Sequence, residues 1–383
     1  MPGERLTAFR RIASGGALLV VACSAAAPAM HEPAMSAVAV TDPAAAAATL
    51  LYVCNQNEAT VSVVDVATNR VVRTIDLTTL GFSANAKPHH VAVEADGSHW
   101  YLTLIGDGKI VKLDRNDRVV GQASFETPGM LALHPTEDLL FVGRSMTAVN
   151  PPQRIGVVRR STMAIDEIDI FFPRPHAMVL QAGTGTVYTA SLGVNQMAAV
   201  NIETDEVKLT SVDGPPHALM QFAISPDGTT LVASGELSHQ VIFFDLADPM
   251  QPRRVASVSV EAQPFDPIFT PDGKWVYLGN KAANSITIVD AGSHTVAKVL
   301  RGEGIAQPHG TAVSSDGRYV YVSNNNLSDP SHAMHAGAQP AAQPAGSGGK
   351  GTVVVIDTRT QAITSVIPVG LNAAGIALAT PVQ

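Results

Sequence analysis

Histidine directly follows proline at four widely separated points of the chain, and each pair precedes a short apolar run. The four histidines are His89, His176, His217 and His309. Imidazole is the most common protein ligand of zinc, copper and iron, so several imidazoles brought together could hold a metal ion or a haem. The recurrence therefore predicts a copper or zinc site, provided that the fold brings these four segments to one place.

The same four histidines also fit a purely structural interpretation. Pro-His can replace a Pro-x-Gly turn, and the imidazole then hydrogen-bonds the carbonyl groups of its own loop. Three methionines that lie close to these repeat positions would suit a soft copper site. They are Met130, Met178 and Met220. At the level of sequence, the ligand interpretation and the structural interpretation both stay open.

The elements that position these histidines belong to a repeat, and residues 51–77 form its first clear copy. This segment contains three apolar runs rich in Val and Ile, separated by short polar clusters. Alternating branched residues with polar breaks predict consecutive antiparallel strands. A further run follows each proline and ends in most copies at Asp-Gly or a similar turn, which is a strong hairpin signal. Each repeat therefore has four strands.

The run that follows the proline occurs in six complete copies and one terminal copy. The average spacing of about 47 residues is typical of propeller blades. We therefore predict an all-β fold, a seven-bladed β-propeller with four antiparallel strands per blade. The repeat begins with a second strand near residue 51 and ends with a first strand near residue 378. The C-terminal strand is thus expected to complete the N-terminal blade and close the ring, which removes exposed sheet edges.

A family resemblance rests on the second and third strands of the repeat. The second strands read LYVCN, WYLTL, VYLGN and VYVSN, and the third strands follow the form VSVVDVATNRVV. These phrases resemble the YVTN-type β-propeller repeat of bacterial envelope proteins. Architectures of this kind include the haem d1 domain of cytochrome cd1 nitrite reductase, the copper-cluster domain of nitrous oxide reductase and propeller lactonases. The resemblance implies fold and envelope location but no reaction, because one scaffold hosts many activities.

The N-terminal residues have the features of an export segment. Residues 1–22 combine a basic start with an apolar run too short to span a bilayer, as in a signal peptide. A lipobox-like sequence would place a lipid anchor on Cys23, whereas cleavage before Met30 would release a soluble protein. Residues 23–48 form an Ala- and Pro-rich tether, and the propeller is expected over residues 49–383. We expect a periplasmic or outer-envelope location.

Composition narrows the class of partner. The net charge is -8 and only 15% of residues are charged, which argues against a nucleic-acid-binding surface. Cys23 and Cys54 are the only cysteines, so Cys54 is predicted to be a small buried apolar residue. No CxxCH motif is present, which excludes covalent c-type haem. We expect a monomer with a small-molecule or protein ligand.

Propeller geometry assigns each histidine to a face. Loops that enter the innermost strands, and loops that join second to third strands, share the face that we call the mouth face. Eight of the 12 histidines fall on the mouth face. Besides the four primary candidates, they are His90, His239, His332 and His335. The last two lie in an insertion loop at residues 324–350, which could close over the channel or could be a plain insertion with incidental histidines.

Acidic residues on the mouth face give a further candidate. Asp266 is predicted to replace the histidine of its own repeat, and three other acids lie in neighbouring loops: Asp107, Glu236 and Glu303. They could form an acid/base pair or a hard-metal site, or they could be solvated loop acids.

Two hypotheses for function follow. The first is an exported binding or scaffold protein that uses the channel mouth and its loop rim for a ligand or protein partner. The alternative is a periplasmic enzyme with a His-lined centre, either a copper- or zinc-dependent oxidoreductase or a lyase or lactonase-like enzyme. We prefer the first, because the repeat carries no chemistry and no catalytic set is complete.

Overall fold

The computed structural model describes residues 49–327 and 349–379. These residues form 28 strands in seven four-stranded sheets. The innermost strand of each sheet contacts the innermost strands of its two neighbours, so the sheets form a closed ring around a central channel. The predicted seven-bladed β-propeller is confirmed.

Blades one to four are built as follows. The first blade holds β1 (Leu50–Asn55), β2 (Thr60–Asp65) and β3 (Arg70–Asp76). The second holds β4 (Pro88–Val93), β5 (His99–Leu104), β6 (Lys109–Asp114) and β7 (Val119–Ser124). The third holds β8 (Pro128–Leu133), β9 (Leu139–Arg144), β10 (Arg154–Arg159) and β11 (Ala164–Asp169). The fourth holds β12 (Pro175–Gln181), β13 (Thr186–Ser191), β14 (Gln196–Asn201) and β15 (Val207–Ser211).

The remaining blades repeat this order. The fifth holds β16 (Leu219–Ile224), β17 (Thr230–Gly235), β18 (Gln240–Asp245) and β19 (Arg253–Ser259). The sixth holds β20 (Ile268–Phe269), β21 (Trp275–Asn280), β22 (Ser285–Asp290) and β23 (Thr295–Leu300). The seventh holds β24 (Pro308–Val313), β25 (Tyr319–Asn324), β26 (Thr352–Asp357) and β27 (Ala362–Pro368), and the last strand is β28 (Ala373–Ala379).

Burial follows the position of a strand within its blade. The second and third strands of a blade, which in the first blade are β1 and β2, are almost continuously buried. The reason is that neighbouring blades cover both faces of each sheet. The outermost strand β3 exposes most of its residues. The core is therefore a series of layers between blades, in which Tyr52 of the first blade packs against Trp100 of the second, with ring centroids 4.9 Å apart.

The ring closes through β28, as predicted. This strand pairs antiparallel with β1, with Leu51 opposite Leu378. The seventh blade also contacts β28, because the Ser323 hydroxyl donates to the carbonyl of Ala374. The inner strands approach so closely that a Cβ atom on Gly375 would lie 2.5 Å from the carbonyl oxygen of His89. Only glycine fits at this point of the inner ring.

Short aspartate turns end many of the strands. The glycines of the Asp-Gly hairpins adopt left-handed backbone conformations, as the hairpin prediction requires. Those glycines are Gly97, Gly228, Gly273 and Gly317. The aspartates that end third strands accept backbone N–H groups of the following turn, as Asp65 does from Ala67 at 2.9 Å. These acids are structural.

The innermost strand of the sixth blade is an exception. Only Ile268 and Phe269 pair regularly there. Proline has no N–H group to donate to a sheet, and Pro267 interrupts the pairing. Above the interruption the strand is held by an isolated bridge between Pro264 and Asn280. The break places Asp266 in irregular backbone at the channel.

Several predictions lie outside the described residues. They are the signal peptide, the tether, the lipid anchor at Cys23, and His332 and His335 of the insertion loop. Within residues 49–327 and 349–379, no helix has the length and apolar character needed to cross a membrane. Cys54 is fully buried, as predicted.

Candidate functional site

A cavity of about 160 Å³ lies at the mouth of the channel. Residues of six blades line it. Its polar lining includes His89, Glu236, Lys281 and His309, and its apolar lining includes Met146 and Phe265. The lining therefore combines charged and imidazole groups with apolar side chains.

His89 and His309 form the imidazole side of the cavity. Their rings meet edge to face, with centroids 5.7 Å apart and an angle of 85° between the planes. Both residues are buried, with 4% and 6% of their surface exposed. The Nδ1 atom of each ring has no hydrogen-bond partner among the described residues. Two buried imidazoles with unused nitrogen atoms are unusual, since buried polar atoms are nearly always bonded.

Both imidazoles are uncharged at neutral pH. Burial is the main cause that holds the pKa of His89 well below its usual value, and the neighbouring His176, His90 and Lys281 add to it. The pKa of His309 is lowered well below its usual value in the same way, by burial first and then by Lys281 and the other histidines. Each neutral ring therefore carries one donor and one acceptor nitrogen.

Phe265 holds the position that corresponds to these two histidines in the sixth blade. Pro264 pairs with Asn280 just as Pro88 pairs with Leu104, so the next residue, Phe265, is the equivalent of His89. The prediction that Asp266 occupies the histidine position is therefore wrong by one residue. The Phe265 ring lies 5.1 Å from that of His309, centroid to centroid. Three equivalent positions thus contribute rings that contact one another at the channel.

Lys281, Glu236 and Asp266 form a charged cluster beside the rings. The Lys281 ammonium lies 4.8 Å from the centre of the Phe265 ring. Desolvation lowers the pKa of Lys281 to about 8, against the opposing attraction of Glu236 and Asp266. Desolvation also raises the pKa of Glu236 to about 7, and that of Asp266 to about 7, although Lys281 opposes both shifts. Two acid/base groups of the cavity lining, Glu236 and Lys281, therefore have pKa values near neutral pH.

His176 and His217 are used structurally. His176 donates from Nδ1 to the carbonyl of Arg144 at 2.8 Å. His217 is fully buried; its Nε2 donates to the carbonyl of Asp213 at 3.1 Å, and its Nδ1 lies 2.8 Å from the Ser238 hydroxyl. The structure therefore divides the four Pro-His residues. Both nitrogens of His217 and Nδ1 of His176 bond groups of the protein, as the structural interpretation predicts. The Nδ1 atoms of His89 and His309 have no partner among the described residues.

The secondary candidates His90 and His239 also differ in their hydrogen bonding. Burial lowers the pKa of His90 to about 4, and its Nδ1 has no partner among the described residues. His239 accepts the backbone N–H of Gln263 at 3.2 Å and so supports a loop. Within the described ranges, no three His, Cys, Asp or Glu side chains are grouped so that they could hold a metal ion. Copper or zinc binding by His89, His176, His217 and His309 stays a prediction.

A family model described as "Lactonase, 7-bladed beta-propeller" matches residues 44–332. The chain belongs to this lactonase family. No curated protein sequence matches the chain.

Solved structures share the fold of this lactonase-family propeller at low sequence identity. A functionally unknown protein from Desulfotomaculum acetoxidans DSM 771 is 14% identical with a TM-score of 0.66, over 87% of this chain and 99% of that one. Dihydro-heme d1 dehydrogenase NirN in complex with DHE is 15% identical with a TM-score of 0.56, over 86% and 74%. Kuenenia stuttgartiensis hydrazine synthase is 18% identical with a TM-score of 0.58, over 76% and 95%. At these identities the likeness concerns the fold alone.

Sequence reasoning missed the role of Lys281 and Phe265 in this lactonase-family site. A signal was present, because the residue directly after the second strand of a blade lines the cavity in six of the seven blades. These residues are Gln56, Ile105, Ser145, Glu236, Lys281 and Asn325. Alignment of the repeats at the end of the second strand would have placed Glu236 and Lys281 side by side.

Proposed function

We propose that the chain is an exported, YVTN-type binding protein that holds a small ring-shaped molecule at its channel mouth. The observation that carries this proposal is the cavity whose lining brings Lys281, His89 and His309 together with Phe265. Its volume of about 160 Å³ is close to the ~150 Å³ that holds a benzene-sized molecule in a protein interior. A single five- or six-membered ring with its substituents is therefore the size of ligand that we propose.

The chemistry of the lining suggests what such a ring carries. Phe265 and Met146 offer an apolar surface to one side of the ligand. The Lys281 ammonium complements a carbonyl or carboxylate oxygen, and the neutral imidazoles of His89 and His309 can bond hydroxyl or ring oxygen atoms. A lactone or the corresponding hydroxy acid has this combination of groups.

The loop rim supports the mouth face as the contact surface for a protein partner. Among the described residues, every large apolar side chain that is exposed in a loop belongs to a mouth-face loop. These residues are Val149, Phe171, Val194, Leu237 and Leu371. The other exposed large apolar residues lie on outermost strands. Exposed apolar residues around a cavity are typical of a recognition surface.

Lactone hydrolysis at the same cavity is the second candidate. It is favoured by Glu236, a buried carboxyl with a pKa of about 7 beside the cation Lys281. A carboxylate that titrates near neutral pH can act as a general base on water, and an ammonium can stabilise the oxyanion that forms on the ester carbonyl. Metal-assisted chemistry would need copper or zinc on His89 and His309, whose Nδ1 atoms are unused.

The test is a titration of the protein with small five- and six-membered lactones and with their ring-opened hydroxy acids. Binding is measured by calorimetry, and ring opening is followed by NMR. We expect binding that Lys281→Met weakens at least about ten-fold, or ~1.4 kcal/mol. Binding without ring opening supports a binding protein, whereas ring opening that Glu236→Gln abolishes supports the hydrolase. Absence of binding to the parent would refute both.

Export and anchoring belong to the same proposal. We propose a periplasmic or outer-envelope location, with lipidation at Cys23 or cleavage before Met30 as the two processing routes. Fractionation of cells that express the parent and Cys23→Ala distinguishes them. A lipoprotein changes from the membrane to the soluble or unprocessed fraction, and a cleaved soluble protein does not. A parent protein that stays in the cytoplasm would refute export.

A further inference from the structure

Lys281 occupies a fixed position at the cavity. It is the first residue after β21, and its backbone N–H donates to the carbonyl of Gln263 at 2.7 Å. Its side chain lies over the face of Phe265 and lines the cavity beside His309. The amine is therefore held against an apolar ring, within reach of a molecule that enters from the mouth.

Ionisable groups on the surrounding elements face this amine. Glu236 comes from the loop after β17, Asp266 from the segment before β20, His89 from β4 and His309 from β24. The two carboxyl groups can give and take protons near neutral pH, because desolvation raises their pKa values to about 7. The imidazoles are neutral and add no positive charge beside the lysine.

The cavity also favours the free amine over the ammonium. Desolvation lowers the pKa of Lys281 to about 8. At pH 7 such a group is about 9% unprotonated, compared with about 0.04% for an ordinary lysine with a pKa near 10.4. Since only the free amine is a nucleophile, desolvation raises the reactive fraction roughly 200-fold.

We propose that Lys281 is a nucleophile that captures small aldehydes or ketones in the cavity as a covalent imine. The Glu236 carboxylate, whose charge acts on Lys281, first takes a proton from the ammonium. The Nζ lone pair then forms a bond to the carbonyl carbon as the C=O π pair moves to the oxygen, and this oxygen takes a proton from the nitrogen to give a carbinolamine. The hydroxyl then takes a proton from a carboxylic acid, for which Glu236 is placed, and leaves as water. The ammonium and the carbonyl compound thus become a protonated imine and water, with no net change in protons and no oxidant or reductant. The inference uses the cavity of the proposed function for access but does not require lactone binding.

Lys274 provides a matched control in the same blade. Its ammonium lies 4.8 Å from the centre of the Trp275 ring, the same distance as that between Lys281 and Phe265. Unlike Lys281, Lys274 is exposed in the turn before β21 and lies outside the cavity. A comparison of the two lysines in one protein separates the effect of the cavity from that of an aromatic neighbour.

The experiment treats the full chain with glyoxylate and cyanoborohydride at pH 7, which reduces any imine to a stable carboxymethyl-lysine. Peptide mass spectrometry then measures the labelling rate of each lysine. We expect Lys281 to be labelled at least ten times faster than Lys274, and we expect labelling of Lys281 to level off above about pH 8. Equal rates at the two lysines would overturn the proposal. Because both are measured in the parent protein, the result does not depend on how a variant folds.

One variant completes the test. Lys281→Arg keeps the cation but removes the nucleophile, so it should abolish the selective label and leave that of Lys274 unchanged. A selective label that persists elsewhere in Lys281→Arg would assign the nucleophile to another residue and overturn the proposal. The two proposals can fail independently. Imine trapping at Lys281 without lactone binding would refute the proposed function. Lactone binding without imine trapping would refute the role of Lys281 as a nucleophile.

Discussion

Glu236 and Lys281 occupy the same repeat position in neighbouring blades, each directly after the second strand, and both line the channel cavity. Burial disfavours the charge on each of them, while their attraction favours it. Desolvation wins in both cases, because the pKa of Glu236 is raised and that of Lys281 is lowered. Burial therefore brings the pKa values of both groups close to neutral pH.

The raised pKa of Glu236 predicts a pH-dependent cost to stability. A carboxyl with a pKa of about 7 in the folded state and about 4.3 in the unfolded state binds its proton more tightly when folded. Its contribution to the free energy of unfolding therefore falls as the pH rises from about 4.3 to 7. Glutamine does not titrate, so Glu236→Gln lacks this fall. The free energy of unfolding of the variant, relative to that of the parent, should therefore rise by roughly 1 to 3 kcal/mol as the pH increases from 5 to 8.

Urea unfolding at a series of pH values measures this difference. Glu303→Gln, which changes an exposed acid on the same face, is the control and should show no such trend. Parallel pH profiles for the parent and Glu236→Gln would contradict the assignment of the raised pKa to Glu236.

His217 and His309 are predicted to respond differently to the same substitution. Phenylalanine keeps the ring but removes the nitrogen atoms. His217→Phe loses two hydrogen bonds in a fully buried site and should cost about 1 to 3 kcal/mol of stability. His309→Phe loses no bond at Nδ1 and keeps its ring contacts with His89 and Phe265, so it should cost less. Thermal and urea unfolding provide the measurement, and an equal loss in both variants would contradict the division of the four histidines.

The fold could be predicted because its information is local and repeated. Alternating branched residues define each strand, Asp-Gly marks hairpins, and the offset between a first copy at β1 and a last copy at β28 indicates closure. Each signal occurs several times, so an irregular copy does not hide the pattern. The sixth blade is such a copy, since Pro267 interrupts its inner strand while the blade keeps four strands.

The site could be predicted only in part, because it depends on side-chain direction around a ring. Repeat position placed His89 and His309 correctly at the mouth, but it gave His217 the same role, although two neighbouring loops supply partners for both of its nitrogens. The partners come from Asp213 and Ser238, which the repeat pattern does not link to it. Repeat position at the first strand does not identify Lys281, which shares with Glu236 the position directly after the second strand.

Metal binding at the mouth is predicted to depend on some histidines and not on others. His89 and His309 have unused Nδ1 atoms, whereas the two nitrogens of His217 are bonded to Ser238 and Asp213. Copper or zinc affinity should therefore fall at least ten-fold in His89→Ala/His309→Ala and stay unchanged in His217→Phe. Calorimetric titration of the mature protein, with elemental analysis of protein taken from cells, tests this. Equal affinity in the parent and the double variant would remove the metal site.

Closure of the ring by β28 yields the last prediction. Deletion of residues 373–383 removes the inner strand of the first blade, and with it the pairing to β1 and the contact from Ser323. The exposed edge of β1 would then be free to pair with other molecules, so the truncated protein should aggregate or lose cooperative unfolding. Deletion of residues 380–383 alone is the matched control, because it keeps all of β28 and should leave the melting transition unchanged. A cooperative transition at the parent temperature after the longer deletion would show that β28 does not stabilise the ring.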